Sequence, residues 1–134
     1  VYVSDIVVAK GISEFRNKFL TTGKFSSSRI VFDVNEATIK PTSHGILKEI
    51  ATVINQTDSI KVMIVGHTDN DGSSDLNLIL SKKRSEAVKN YLVNALGVSA
   101  SKILTDGKGA SEPITNNASS ESKAQNRRVE FIKL

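Results

Sequence analysis

Residues 62–84, VMIVGHTDNDGSSDLNLILSKKR, decide the fold of this chain. The apolar run 62–65 has the β-branched content and length of a short buried strand, and it stops at Gly66-His67-Thr68-Asp69. A polar turn with Gly72 follows, and then apolar residues at helical spacing with Arg84 among them. The stretch predicts strand, loop and helix, with an acid at the strand's exit and a base two turns into the helix. A carboxylate and a guanidinium set in this way can grip a ligand that carries both charges.

The flanking sequence extends the same alternation. Residues 60–66 are apolar on both faces, as in a central, covered strand. Ahead of them Ile46, Leu47, Ile50, Ala51 and Ile54 form a helical stripe behind Pro41, with Thr42 or Ser43 as N-cap. Residues 28–34, SRIVFDV, predict a strand, and Asn35-Glu36-Ala37-Thr38 turns away from it. Further back, residues 1–8 have strand composition, and Ile12, Phe15, Phe19 and Leu20 have helical spacing closed by Gly23. Downstream, Ser74 or Asp75 caps a long helix with the stripe Leu76, Leu80, Arg84, Ala87, Val88, Tyr91, Leu92 and Ala95, ended by Gly97. Residues 103–105 predict a short strand, Gly107-Lys108-Gly109 a tight turn, 110–126 a long polar connection and 127–134 a closing strand. The order β-α-β-α-β-β implies an α/β (α+β) two-layer sandwich, with two main helices on one face of a small mixed sheet. The expected domain is 28–134, with 1–27 as an N-terminal extension or linker.

The 134 residues suit a single domain with one core. Apolar residues at 39% and charged residues at 24% are ordinary for a globular chain. The formal charge is +4, but the 18 Lys and Arg are scattered, which argues against a nucleic-acid partner. No apolar run approaches the length of a membrane span, so direct membrane insertion is not expected. The chain starts at Val1 rather than Met, so it is expected to be an excised segment with any targeting signal upstream. Without Cys there is neither a disulfide nor a thiolate metal site.

Arg84 is the most informative single residue, because it lies on an apolar stripe four residues after Leu80 and four before Val88. Either its stem lies along the core edge with its head in water, or it is part-buried and paired with an acid or a ligand. Asp69 is the nearest partner by topology, and Asn77, seven residues before Arg84, shares its helical face. His67 lacks the companions of a metal site and is expected to shape the turn by hydrogen bonding. Asp69-Asn70-Asp71-Gly72 begins like a calcium loop, but its Gly is two positions early and Leu80 stands where a Glu is required. No Ser lies in a nucleophile elbow. Arg127 and Arg128 start a strand and must point to opposite faces, one toward a site and the other toward solvent or a surface acid.

Together these pieces resemble the OmpA-like peptidoglycan-binding domain found in OmpA C-terminal domains, the peptidoglycan-associated lipoprotein and the stator protein MotB. The resemblance rests on Phe32-Asp33-x-Asn35, Gly66-His67-Thr68-Asp69-Asn70-x-Gly72, Asn77-x-x-Leu80-Ser81-x-x-Arg84, Gly107-x-Gly109 with Pro113, and Asn126-Arg127-Arg128-Val129-Glu130, in that order. It implies non-covalent binding of the peptidoglycan stem peptide at diaminopimelate. By the same resemblance, Asp69 takes the ligand's ammonium and Arg84 its carboxylate. Asn35, Asn77 and Arg127 add contacts, and backbone near Asn70 and Asp71 lines the rim. The partner would be cell-wall peptidoglycan, and the compartment the periplasm, beneath an outer membrane. No cofactor or metal is implied. Two rival classes stand beside this reading: an assembly domain with a vestigial pocket, and a peptidoglycan-acting enzyme, for which no acid–base constellation is visible.

Overall fold

The computed structural model describes residues 15–33 and 36–134. The residues expected to form a first strand, 1–8, lie outside the described residues, as does Ile12. From residue 15 the elements are α1 (15–22), β1 (Lys24–Ser27), α2 (His44–Gln56), β2 (Val62–His67), α3 (Ser74–Asn94), β3 (Ile103–Gly109), α4 (Ser120–Asn126) and β4 (Val129–Lys133). The four strands make one mixed sheet in the order β1-β4-β2-β3. β2 and β3 run parallel across the α3 crossover, whereas β4 is antiparallel to both β1 and β2. The α+β sandwich and the central place of β2 agree with the sequence.

One apolar cluster holds the layers together. Ile46, Leu47, Ile50, Ala51, Val53 and Ile54 of α2 meet Val88 and Leu92 of α3 over Val62, Ile64 and Phe131 of the sheet. Phe15 and Phe19 of α1 belong to the same cluster. The Phe15 ring stacks on Phe19 at 5.1 Å and meets the edges of Phe25 and Phe131 at 5.0 and 6.2 Å. α1 and β1, which precede the expected domain start at residue 28, pack into this core. Gly23, with φ +78°, ends α1 and lets its N–H bond the Phe19 carbonyl, as its place in the sequence predicts.

Of the strand expected at 28–34, the described residues 28–33 form none. The sheet is joined four residues earlier, by Lys24-Phe25-Ser26-Ser27, whose Phe25 faces the core while Lys24 reaches Glu130. Ile30 is buried, yet residues 28–33 leave the ladder. The Val31 N–H donates to the Ser43 hydroxyl at 2.7 Å, and Phe32 bridges Ile39 in an isolated pair. Ser43 holds the N-cap position of α2, as expected, but its hydroxyl binds a neighbouring loop instead of a helix N–H. The cap of α3 is shifted by one residue: Ser73, rather than Ser74 or Asp75, accepts the Leu76 N–H at 3.1 Å.

The buried face of α3 also differs from the expected stripe. It consists of Asn77, Ser81, Arg84, Ser85, Val88 and Leu92, while Leu76 is 68% and Ile79 50% exposed. The cause is how closely the helix approaches the sheet. A Cβ on Gly66 would sit 2.3 Å from the Ser81 carbonyl oxygen, and one on Gly107 2.5 Å from the Lys82 nitrogen. Only a small side chain fits between, and Ser81 also accepts the Gly109 N–H at 2.9 Å. Gly107-Lys108-Gly109 is therefore no turn between strands. It is the end of β3, where the register shifts so that His67 pairs with Gly109.

Gly66→Ala is expected to lower unfolding stability by about 1–3 kcal/mol, the range for overpacking, and toward its upper end because the backbone it meets cannot yield. Gly45, on α2, has no heavy atom near its would-be Cβ, so Gly45→Ala should gain about 0.5 kcal/mol from helix propensity. Urea denaturation of both variants checks the pair; a neutral Gly66→Ala would refute the close approach.

Candidate functional site

A cavity of about 490 Å³ opens where β2 passes into α3. Its walls include Phe32 and Lys40 of the loop before α2, Thr68, Asp69 and Asp71 of the β2–α3 turn, and Asn77, Leu80 and Arg84 of α3. Arg127 and Arg128, ahead of β4, close the remaining side. Asp69, Asn77, Arg84, Arg127 and Asp71 are thus brought together. Asn70 is exposed on the same turn but does not line the cavity. Asn35 lies outside the described residues.

Asp69 is 7% exposed and engaged at both oxygens. Oδ1 accepts the Asp71 N–H at 2.9 Å, closing the turn on itself, and Oδ2 accepts from the Arg127 guanidinium. Asn77 braces the turn from the helix by donating to the carbonyls of Asp71 at 2.9 Å and Asp69 at 3.4 Å. The topological expectation that Asp69 pairs with Arg84 is not met, because Arg127 takes that place.

Arg84 is 9% exposed, so its head does not reach freely into water. Its Nε donates to the Glu36 carbonyl at 2.9 Å, an Nη donates to the Asp33 carbonyl at 3.4 Å, and the guanidinium lies 4.9 Å over the Phe32 ring. Three groups from the loop before α2 therefore orient one plane of charge. Burial lowers the guanidinium's proton affinity, with Arg127 acting the same way and Asp69 opposing, but an arginine still keeps its charge. Phe32 and the two carbonyls were not legible as Arg84's holders, since they lie about fifty residues upstream and two of the three are backbone groups.

The polar connection expected at 110–126 contains α4, capped by Ser119, which accepts the Ser122 N–H at 3.1 Å. Asn126 is fully buried and pins the loop ahead of the helix. It accepts from the N–H groups of Ile114 and Thr115, and donates to the Thr115 carbonyl and the Asn117 side chain. That anchor holds Arg127 against Asp69. Lys123 of α4 reaches Asp71 at 2.7 Å, so the second acid of the turn is also engaged from this side. Arg128 does not meet solvent: it is 5% exposed and donates to the Glu112 carbonyl at 2.9 Å.

His67 is buried and bonds Glu130 across the sheet, Nε2 to Oε1 at 2.5 Å, while Lys24 holds the other carboxylate oxygen at 2.9 Å. Burial holds the imidazole below its ordinary pKa, with Arg128 adding to the effect and the bond to Glu130 opposing it. Burial by itself would raise the Glu130 carboxyl, but hydrogen bonds from Lys24 and His67 outweigh it and leave the group below its usual value. A neutral imidazole therefore donates to a carboxylate. The other His does not approach this pair: His44 stacks on Tyr91 at 4.6 Å. No cluster of three metal-ligating side chains occurs among the described residues.

The OmpA family model matches residues 31–127, which include most of the cavity's walls, from Phe32 through Asp69 and Arg84 to Arg127. The chain belongs to the OmpA family. It is 41% identical over 104 residues to the probable lipoprotein YiaD of Escherichia coli, across 78% of this chain and 47% of that protein. It is 40% identical over 103 residues to the peptidoglycan-binding protein ArfA of Mycobacterium tuberculosis, across 77% of this chain and 31% of that one. The crystal structure of the peptidoglycan-associated lipoprotein from Burkholderia pseudomallei superposes with a TM-score of 0.72 at 28% identity, covering 81% of this chain and 89% of that one. The chain spans about half the length, or less, of the curated relatives it matches. Among the described residues, no helix of this OmpA-family domain is long and apolar enough to cross a membrane.

The buried His67–Glu130 pair sets the expected acid response. The unfolded chain takes up a proton on His67 near pH 6.5 and the folded chain only below that, so stability falls as pH drops through 6.5. Glu130 extends the loss below its ordinary value of 4.5. Thermal melts from pH 7.5 to 4 should show this decline, and His67→Gln should flatten the part between 7.5 and 5.5. An unchanged slope in that variant would exclude His67 as the source.

Proposed function

We propose that this OmpA-family domain binds cell-wall peptidoglycan without cleaving it, through the zwitterionic side-chain centre of diaminopimelate in the stem peptide. The observation that carries the reading is a buried carboxylate, Asp69, and a buried, orientated guanidinium, Arg84, in the walls of one cavity. Asp69 would receive the ligand's ammonium. Arg84 would take the adjacent carboxylate, for which its planar fork is suited as a lysine's point charge is not. Asn77 would keep the β2–α3 turn in place, Asn70 and Asp71 would form its rim, Arg127 would close the opposite wall, and Asn35 would add a contact to the ligand. The names of similar proteins support the ligand class, since ArfA is called peptidoglycan-binding and a solved structure of the same fold is that of a cell wall anchor. On this reading the domain works in the periplasm and ties an envelope protein to the wall.

Asp69→Ala and Arg84→Ala should each abolish cosedimentation with purified sacculi. Removing one member of a desolvated charge pair costs about 2–5 kcal/mol of binding. Because Arg84 also holds two carbonyls of its neighbouring loop, Arg84→Lys is the companion variant. It should keep the fold, as judged by circular dichroism, yet bind much more weakly. Wild-type-like retention on sacculi by folded Asp69→Ala would defeat the proposal, and muropeptides released from sacculi by the wild-type domain would show an enzyme instead.

A further inference from the structure

The site's acid already has a cation. Arg127 donates to Asp69 Oδ2 while the turn's own N–H occupies Oδ1, and Lys123 covers Asp71. An ammonium that comes to Asp69 must therefore displace the guanidinium or settle beside it. Either way the cavity gains a positive charge that its acids do not balance: Asp69 and Asp71 already face Lys40, Arg84 and Arg127 among the lining residues. Arg128 lines it too but is offset by Glu130, 4.0 Å away. Burial lowers the proton affinity of Arg84, and the like charge of Arg127 lowers it further. A carboxylate on the ligand next to its ammonium removes the excess, because it lies between two guanidinium groups and leaves Arg127 a partner when it leaves Asp69.

We infer that Arg127 is a specificity-determining residue, a built-in competing cation that restricts the site to ligands with a free carboxylate beside the ammonium. The inference rests on the peptidoglycan reading and sharpens it: the domain would accept diaminopimelate with its side-chain carboxylate free, and discriminate against the carboxamide form and against lysine in the same position. Arg127 is suited to the part because its side chain is 46% exposed and so can move, whereas Arg84 is buried and held by backbone. The fully buried Asn126 fixes the segment from which Arg127 reaches, so the competitor returns to Asp69 when the ligand leaves.

Fluorescence anisotropy with three labelled tripeptides tests this, each of the form Ala-γ-Glu-X with X as diaminopimelate, its side-chain carboxamide or lysine. The free diaminopimelate peptide should bind the wild-type domain at least about tenfold more tightly than the other two, the loss of one charged contact being worth that or more. In Arg127→Gln the preference should shrink severalfold, chiefly because the carboxamide and lysine peptides bind better, and the part that Arg84 supplies should remain. Arg127→Lys, which keeps the competing charge, should retain the preference. Equal binding of all three peptides by the wild type would overturn this inference and leave wall binding standing. So would an undiminished preference in Arg127→Gln. Failure of all three peptides to bind would overturn both.

Discussion

The close seating of α3 on β2 and β3 is the constraint on which the rest of the molecule depends. Gly66 and Gly107 leave no room for a Cβ beneath Ser81 and Lys82, so the helix backbone rests almost directly on the strands. This contact makes the β2–α3 connection short and stiff. It also turns the helix so that Asn77 and Arg84, rather than Leu76 and Ile79, face inward. A larger residue in the sheet would lift the helix and take Arg84 away from the carbonyls that orient it. Packing that is nominally structural thus sets the aim of a charged group more than fifteen residues along the chain.

The electrostatics of the site follow from that seating. Two acids on one tight turn would repel each other in a part-buried place, and the fold answers with cations from a remote segment. Arg127 and Lys123 arrive from the α4 region, which is itself held by the buried amide of Asn126. Arg84 is treated differently: main-chain carbonyls and an aromatic face hold it without cancelling its charge. One acid with a movable partner and one base without a matching acid leave the cavity an appetite for negative charge.

Much of the fold was legible because hydrophobic period and punctuation agree for α2, β2 and β4. Ile46 to Ile54 keep helical spacing, and every residue of that expected stripe is buried. The errors fall where tertiary contacts override local preference. Residues 28–34 look like a strand by composition, yet the sheet takes Lys24–Ser27, because Phe25 completes the aromatic cluster and Lys24 meets Glu130. The α3 stripe misled for a similar reason, since glycines outside the helix, Gly66 and Gly107, decide which face can approach. Asp69, Asn77 and Arg84 could be read from spacing alone. The Asp69–Arg127 pair could not, because Arg127 reaches Asp69 only through the loop that Asn126 pins. The short helix α4 was hidden by its polar sequence, Ser-Glu-Ser-Lys-Ala-Gln-Asn, which has no apolar period to reveal it.

The strand order β1-β4-β2-β3 has a mechanical meaning. Residues 15–27 enter the domain through β1 at one edge of the sheet, whereas the cavity lies at the end of β2, two strands away. Tension applied through the residues ahead of β1 reaches the cavity by crossing two antiparallel ladders, β1 to β4 and β4 to β2. Their hydrogen bonds lie perpendicular to the strands, so a pull along the strand axis loads many of them at once instead of opening them in turn. Phe15, Phe25 and Phe131 weld the first of those ladders to the core. A load that enters at β1 and is resisted at the cavity is thus shared along two ladders of the sheet before it reaches the β2–α3 turn.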